Sequence, residues 1–289
     1  MQYAIVNGQK SEARRGTRGE CPLCGCSTVA KCGPRVMHHW AHVARRSCDP
    51  WWENETEWHR EWKGRFPEDC REVSHTAPDG EIHRADIKTT TGIVIEVQHS
   101  RMTDQERESR ESFYRNLVWI VDGRGFRKSF HLGYMLPDPS LGGFEDIVWF
   151  QSAGSAYQYS SEPITRSVPS FWRISEAAKQ FPGLTKTNIA TAIPPWGLVE
   201  AHREDEVRDR VVANYRGHHQ FYWTRPRQTW LDARCPVYID FGEDLLYRLQ
   251  EYDETRRLCV QLVAKEKLIH DAMVEEHAVD IATRFYPIA

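Results

Sequence analysis

Residues 83–100, HRADIKTTTGIVIEVQHS, alternate apolar and polar positions along two short arms, the pattern of a half-buried antiparallel hairpin. If the loop is Thr90-Thr91-Gly92, with glycine at the left-handed position, Lys88 faces Val94, Ile87 faces Ile95 and Asp86 faces Glu96. Side chains alternate between faces of a strand. Ala85, Ile87, Ile93, Ile95 and Val97 therefore share an apolar face, and Arg84, Asp86, Lys88, Glu96 and Gln98 share a polar one. A two-residue loop would put Asp86 and Glu96 on opposite faces and mix apolar with charged residues.

The segment before the hairpin, DPWWENETEWHREWKGRF (49–66), predicts a helix capped by Asp49 or Asn54. Glu55, His59 and Lys63 then recur at i, i+4 and i+8 on one face, with Trp51, Trp58, Trp62 and Phe66 supplying apolar contacts. After the hairpin, TDQERESRESFYRNL (103–117) predicts a helix of about four turns. LVWIVDG (117–123) reads as a buried strand ended by Asp-Gly. Further on, 137–147 and 152–163 read as loops, and 173–193 holds two short helical patterns around Pro182-Gly183, loosely a helix-turn-helix. Residues 203–217 predict a charged amphipathic helix, CVQLVAKEKLIHDAM (259–273) a strand running into a helix, and HAVDIATRFYPIA (277–289) further helix.

Composition narrows the class. With 40% hydrophobic and 27% charged residues among 289, the chain can bury a core of one large or two small domains. No apolar run approaches a membrane span, and the start lacks the charged-then-apolar pattern of a secretion signal, so a cytoplasmic location is expected. The net charge of −3 does not point to nucleic acid, but its distribution is uneven. Residues 1–50 hold eight basic side chains against three acidic ones, an electrostatic footprint that a phosphate backbone can use.

Two sets of residues carry candidate metal chemistry. Six of the eight cysteines lie in the first 70 residues, which without a secretion signal favours metal binding over disulfides. In CPLCGCSTVAKCGPRVMHHWAH, Cys21 and Cys24 form a knuckle, and His39 and His42 can converge from one helical turn or bend. These four are the expected ligands of a structural zinc, with Cys48 the leading substitute for a histidine and His38, Cys26 and Cys32 also in reach. The second set is the hairpin's acid pair. Like charges directly opposite are destabilising, and a divalent cation between Asp86 and Glu96 is the natural remedy.

Taken in order, the cysteine knuckle, HWAH (39–42), ETEWHREWK, GEIHRADI, IEVQHS and RESFYRNLVWIVDG resemble the competence protein CoiA-like family. That family's core looks like the PD-(D/E)xK nuclease fold. The resemblance covers roughly residues 21–123, and ARCPVYIDFGEDLLYRL looks similar to a later strand-helix segment of relatives. It implies an α/β, restriction-endonuclease-like core with a mixed sheet flanked by helices, preceded by a small zinc ribbon. The expected division is a zinc-ribbon module at 1–50, a nuclease core at 51–135, a mostly helical insertion at 136–220 and strand-helix elements at 221–289. The expected function is metal-dependent hydrolysis of DNA phosphodiester bonds. Asp86 and Glu96 bind magnesium or manganese, with Glu55 a third acid. Gln98, where most such nucleases have lysine, orients water; Lys63 or Lys88 supplies the missing cation, and His59 assists proton transfer or phosphate contact. The alternative is a catalytically inactive nucleic-acid-binding module.

Overall fold

The computed structural model describes residues 1–44, 48–49, 51, 55–77, 80–149, 171–189 and 205–284. The chain is α/β and divides into two compact units. One comprises Met1–Val121 with Ile269–Ala282, the other Asp122–Leu268 with Thr283–Ala289.

The first unit opens with a five-stranded antiparallel sheet. Its strands are β1 (Tyr3–Val6), β2 (Gln9–Glu12), β3 (Arg18–Glu20), β4 (Ser27–Lys31) and β5 (His39–His42), in the order β2-β1-β3-β4-β5. Helix α1 (Glu57–Gly64) follows. Its N-cap is Thr56, whose hydroxyl accepts the His59 N–H while the His59 ring accepts the Thr56 N–H, a reciprocal capping box. Glu55 thus lies just ahead of the helix rather than on it. Asp49 is not the cap either, and Asn54 lies outside the described residues. Trp58, Trp62 and Phe66 are buried as the apolar spacing requires.

Four further strands and a helix complete this unit: β6 (Arg71–Thr76), β7 (Ile82–Lys88), β8 (Val94–Gln98), α2 (Asp104–Phe113) and β9 (Leu117–Asp122, its last residue belonging to the second unit). Strand β6 was not expected from the sequence. Strands β6, β7 and β8 pair antiparallel and β8 pairs parallel with β9, so this sheet is mixed. Ile87 pairs with Ile95 and Lys88 with Val94, the register the apolar alternation demands, and Gly92 at the turn takes φ +85°. Thr91 in that loop donates to the carbonyl of Ala272. Every residue of β8 and β9 is buried, as parallel neighbours covered on both sides must be. The polar face of the hairpin is therefore no solvated surface: Glu96 and Gln98 lie inside.

The second unit carries β10 (Phe130–Pro137), β13 (Tyr215–Trp223), β16 (Leu258–Ala264), β15 (Leu245–Glu251) and β14 (Val237–Asp240), adjacent in that order and antiparallel throughout, with β11 (Ile147–Trp149) and β12 (Phe171–Arg173) paired separately. Gly217 takes φ +90°, and a Cβ there would lie 2.8 Å from the Leu262 carbonyl oxygen, so no other residue fits. Stacked Phe130 and Phe221, with Phe241 at 5.3 Å from Phe130, fill one side. Within 136–220 the described residues form strands as well as the helices Ile174–Gln180 and Asp205–Ala213. The segment 152–163 and the end of 173–193 lie outside the described residues. The strand-into-helix reading of 259–273 corresponds to β16 followed by the helix Lys265–Met273. Helix Glu275–Ala282 comes next.

Candidate functional site

The cysteine-rich segment folds as strands and turns, and this decides its ligands. Cys21 follows β3, Cys24 lies in the turn to β4, His42 ends β5, and Cys48 comes from the segment beyond. One ligand atom from each lies within 4.8 Å of all the others. The Cys21 and Cys48 sulfurs are 3.7 Å apart, and Cys24 Sγ lies 3.3 Å from His42 Nε2. Tetrahedral zinc with Zn–S bonds of about 2.3 Å would separate two sulfurs by about 3.8 Å, so this Cys3His cluster can hold a structural metal such as zinc. His39 does not join it. On a strand, residues three apart point to opposite faces, and the His39 Nδ1 instead meets the Met37 carbonyl at 2.9 Å. Cys48 takes the place expected of His39. Burial and the neighbouring Cys21 push the Cys48 thiol up to about 12. Burial also opposes ionisation of Cys24, but the Cys26 backbone N–H and the His42 and Cys26 side chains outweigh it and bring that thiol down to about 6. Three thiols and an imidazole converging on one point are what a bound cation holds together.

The hairpin acids line a cleft in the same unit, together with Asp49, Trp51, Glu55, His59, Lys63, Glu72, Arg84, Gln98 and Arg110. Strand β8 brings Glu96 and Gln98, β7 brings Asp86 and Arg84, α1 brings His59 and Lys63, β6 brings Glu72, and α2 brings Arg110. Asp86 Oδ2 accepts the Val97 N–H at 3.0 Å, which locks the carboxylate across the hairpin. Glu96 is 5% exposed. Its Oε2 accepts from Arg110 at 3.0 Å, while its Oε1 has no hydrogen-bond partner. Burial, then the Asp86 charge, push its carboxyl up to about 8, against the pull of Arg110 and of the Asp86 backbone N–H.

The α1–β6 side of the cleft is differently built. Lys63, 2% exposed, ion-pairs with Glu55 and, at 2.9 Å, with Glu72. Burial works against its charge, but Glu72, Asp86 and Glu55 raise the ammonium above its ordinary value. Glu72 also accepts the backbone N–H groups of Gln2 (2.9 Å) and Tyr3 (3.3 Å). Burial resists its ionisation too, yet Arg84 and Lys63 hold this carboxyl well below the usual carboxylate range.

The expected residues divide accordingly. Asp86, Glu96, Gln98, Glu55, His59 and Lys63 all line the cleft. Glu55 is bound to Arg60 as well as Lys63, and among the described residues no group of three acids converges as the Cys3His ligands do. His59 spends Nδ1 on the Thr56 cap. Lys88 turns away, its Nζ 2.9 Å from His75 Nδ1, so Lys63 is the lysine of the cleft. Gln98 donates to the Ser100 carbonyl and hydroxyl at its rim.

Sequence reasoning missed Glu72, Asp49 and Arg110 as parts of this site. Asp49 accepts the Trp51 and Arg84 N–H groups, each at 3.0 Å, and meets His83 Nδ1 at the same distance. Arg110 had a readable signal: α2 holds a single apolar residue, Phe113, so any buried face must be made by charged side chains such as Arg107 and Arg110 at i, i+3. No family model, curated protein or solved structure matches the chain.

Proposed function

We propose that the first unit is a metal-dependent nuclease hydrolysing DNA phosphodiester bonds, with Asp86 and Glu96 as ligands of one magnesium or manganese ion. The observation that carries this reading is Glu96 itself. Its carboxylate is buried beside a second acid, and one of its oxygens has no donor. A buried acceptor left unsatisfied costs roughly 1–3 kcal/mol, and burying like charge adds to that. A hard dication with oxygen ligands removes both costs at once. The residues present fit such an ion: one oxygen of Glu96 is unpartnered, and Asp86 is fixed on the neighbouring strand.

When bound, the ion polarises a phosphoryl oxygen and lowers the pKa of water at the site. The remaining roles belong to the chain. Arg110 fixes Glu96 through Oε2 and leaves Oε1 facing no donor. Gln98 orients the attacking water or the phosphate through its amide, without adding charge. Lys63, kept protonated by three carboxylates, supplies the positive charge that glutamine at 98 lacks. The CoiA-like resemblance and the restriction-endonuclease-like core it implies belong to the same proposal. The helix, hairpin, helix and strand read from the sequence all form, and their mixed sheet places the acid pair in a cleft.

The second reading, a nucleic-acid-binding module without catalysis, is favoured by Gln98 and by the cations already bound to the cleft acids. Incubating purified protein with single- and double-stranded DNA plus magnesium or manganese separates the two. Cleavage that depends on Asp86 and Glu96 supports the nuclease. DNA binding without cleavage under either ion, unchanged in Asp86→Asn, supports the silent module.

A further inference from the structure

The register of the N-terminal sheet sorts its side chains to two ends. Cys21, at the end of β3, the turn holding Cys24, and His42, at the end of β5, all lie at one end, where the Cys3His cluster forms. The opposite end holds the start of β3, the finish of β4 and the start of β5. Arg18 pairs there with Val29, and Lys31 with His39. The turn carrying Arg14 and Arg15 folds onto this same end. The Ala30 N–H donates to the Thr17 carbonyl at 3.1 Å, and Cys32 Sγ contacts the Ala13 carbonyl at 3.5 Å. Arg35 lies in the turn that leaves β4.

Arg14, Arg15, Arg18, Lys31 and Arg35 are all exposed, and none forms a side-chain hydrogen bond or ion pair with any described residue. Neither neighbouring acid pairs with them: Glu12 accepts from Gln2 Nε2 at 2.8 Å, and Glu20 sits at the metal end of β3. Five unpaired cations on one sheet end repel one another over a screening distance of about 8 Å at physiological salt. A duplex carrying one charge per about 1.7 Å of axis is the natural counterpart. One residue links this end of the sheet to the cleft. Arg60 donates both to the His38 carbonyl, in the segment leading into β5, and to Glu55 at 2.9 Å.

We infer that the end of β3, β4 and β5 opposite the metal cluster is the surface on which DNA docks through its phosphate backbone, feeding the strand toward the cleft. This rests on the DNA-handling reading above, but assigns binding to residues other than the carboxylates. Such contacts position the nucleic acid and carry no sequence information.

The test is fluorescence anisotropy with a short labelled DNA duplex, without added magnesium or manganese, over a series of salt concentrations. The triple variant Arg14→Gln/Arg15→Gln/Arg18→Gln should lose about tenfold or more in affinity at moderate salt. Its slope of log affinity against log salt should shrink by about 0.9 for each phosphate contact removed. Zinc content and thermal melting check that the triple variant folds, and Lys31→Gln/Arg35→Gln, on the end of β4 and the turn that leaves it, gives the same readout should it not. A folded triple variant with wild-type affinity and slope overturns the inference. So does wild-type protein that binds no duplex DNA, or a patch that serves RNA duplexes and not DNA. Patch-dependent binding without cleavage under any divalent ion leaves this inference standing and removes the nuclease reading instead.

Discussion

Two buried glutamates face one cleft from opposite sides and are treated in opposite ways. On the α1–β6 side, Glu72 feels the Arg84 charge, pairs with Lys63 and accepts two backbone N–H groups, and its carboxyl is held well below the ordinary range. On the β7–β8 side, Glu96 has one arginine, one oxygen without a donor and Asp86 on the adjacent strand, and its carboxyl rises to about 8. Both are almost wholly removed from water, so burial alone does not separate them. What separates them is how completely the fold answers the charge. A satisfied buried carboxylate is structural. A carboxylate that the fold leaves in debt marks where something else binds.

The contrast breaks most sharply in activity. Asp86→Asn or Glu96→Gln should reduce metal-dependent DNA cleavage to background, because each removes a hard ligand. The same changes should leave the metal-free fold as stable as before or more so, since like-charge repulsion across the hairpin disappears. Cleavage assays paired with urea melts of one preparation read both halves.

Glu72→Gln is the mirror case. Removing one partner of a buried, hydrogen-bonded pair should cost about 3 kcal/mol, seen as a lower urea midpoint. It leaves Lys63 short of one of its two carboxylates and Gln2 and Tyr3 with a weaker acceptor. If Glu72→Gln and Asp86→Asn shift stability by the same amount and sign, the division of the cleft into a structural and a functional side is wrong.

The two glutamates also predict opposite pH slopes in protein without magnesium or manganese. Glu96 binds its proton more tightly folded than unfolded. Its contribution to stability is therefore complete below its ordinary pKa of about 4.5 and is lost as pH rises toward 8. Glu72 binds its proton less tightly folded, so its contribution is present above about 4.5 and lost as pH falls below it. Glu96→Gln should flatten the alkaline limb and leave the acid limb intact, which chemical melts across pH measure directly.

A smaller effect belongs to Gln98. Gln98→Ala should slow cleavage far less than loss of either acid, and Gln98→Lys should retain or raise the rate, with kcat the quantity to compare.

The β7–β8 side was legible in the sequence because its information is local. Alternation along 83–98 and one glycine at 92 fix the register, and the register puts Asp86 beside Glu96. The other side was not, because Glu72 depends on partners reached only through tertiary structure: Lys63 from α1 and the backbone of Gln2 and Tyr3, some seventy residues earlier. Strand β6 itself, REVSHT, lacks a clean alternation, and Glu72 sits at φ +45°. The Cys3His cluster shows the same limit at closer range. The knuckle at Cys21 and Cys24 was plain, but choosing Cys48 over His39 required knowing that HWAH is a strand and not a helical turn. Helix α1 was visible by its tryptophans, while its true cap, Thr56, was hidden among several capable residues.

Manganese binding followed by electron paramagnetic resonance tests the central claim most directly, because it reads ligation at the acid pair without requiring turnover. With the cysteine cluster zinc-loaded, wild-type protein should bind about one manganese ion per chain, Glu96→Gln and Asp86→Asn should bind none at that site, and Glu72→Gln, if folded, should still bind it. Equal manganese binding by wild type and Glu96→Gln, or no binding by wild type at all, would contradict the account.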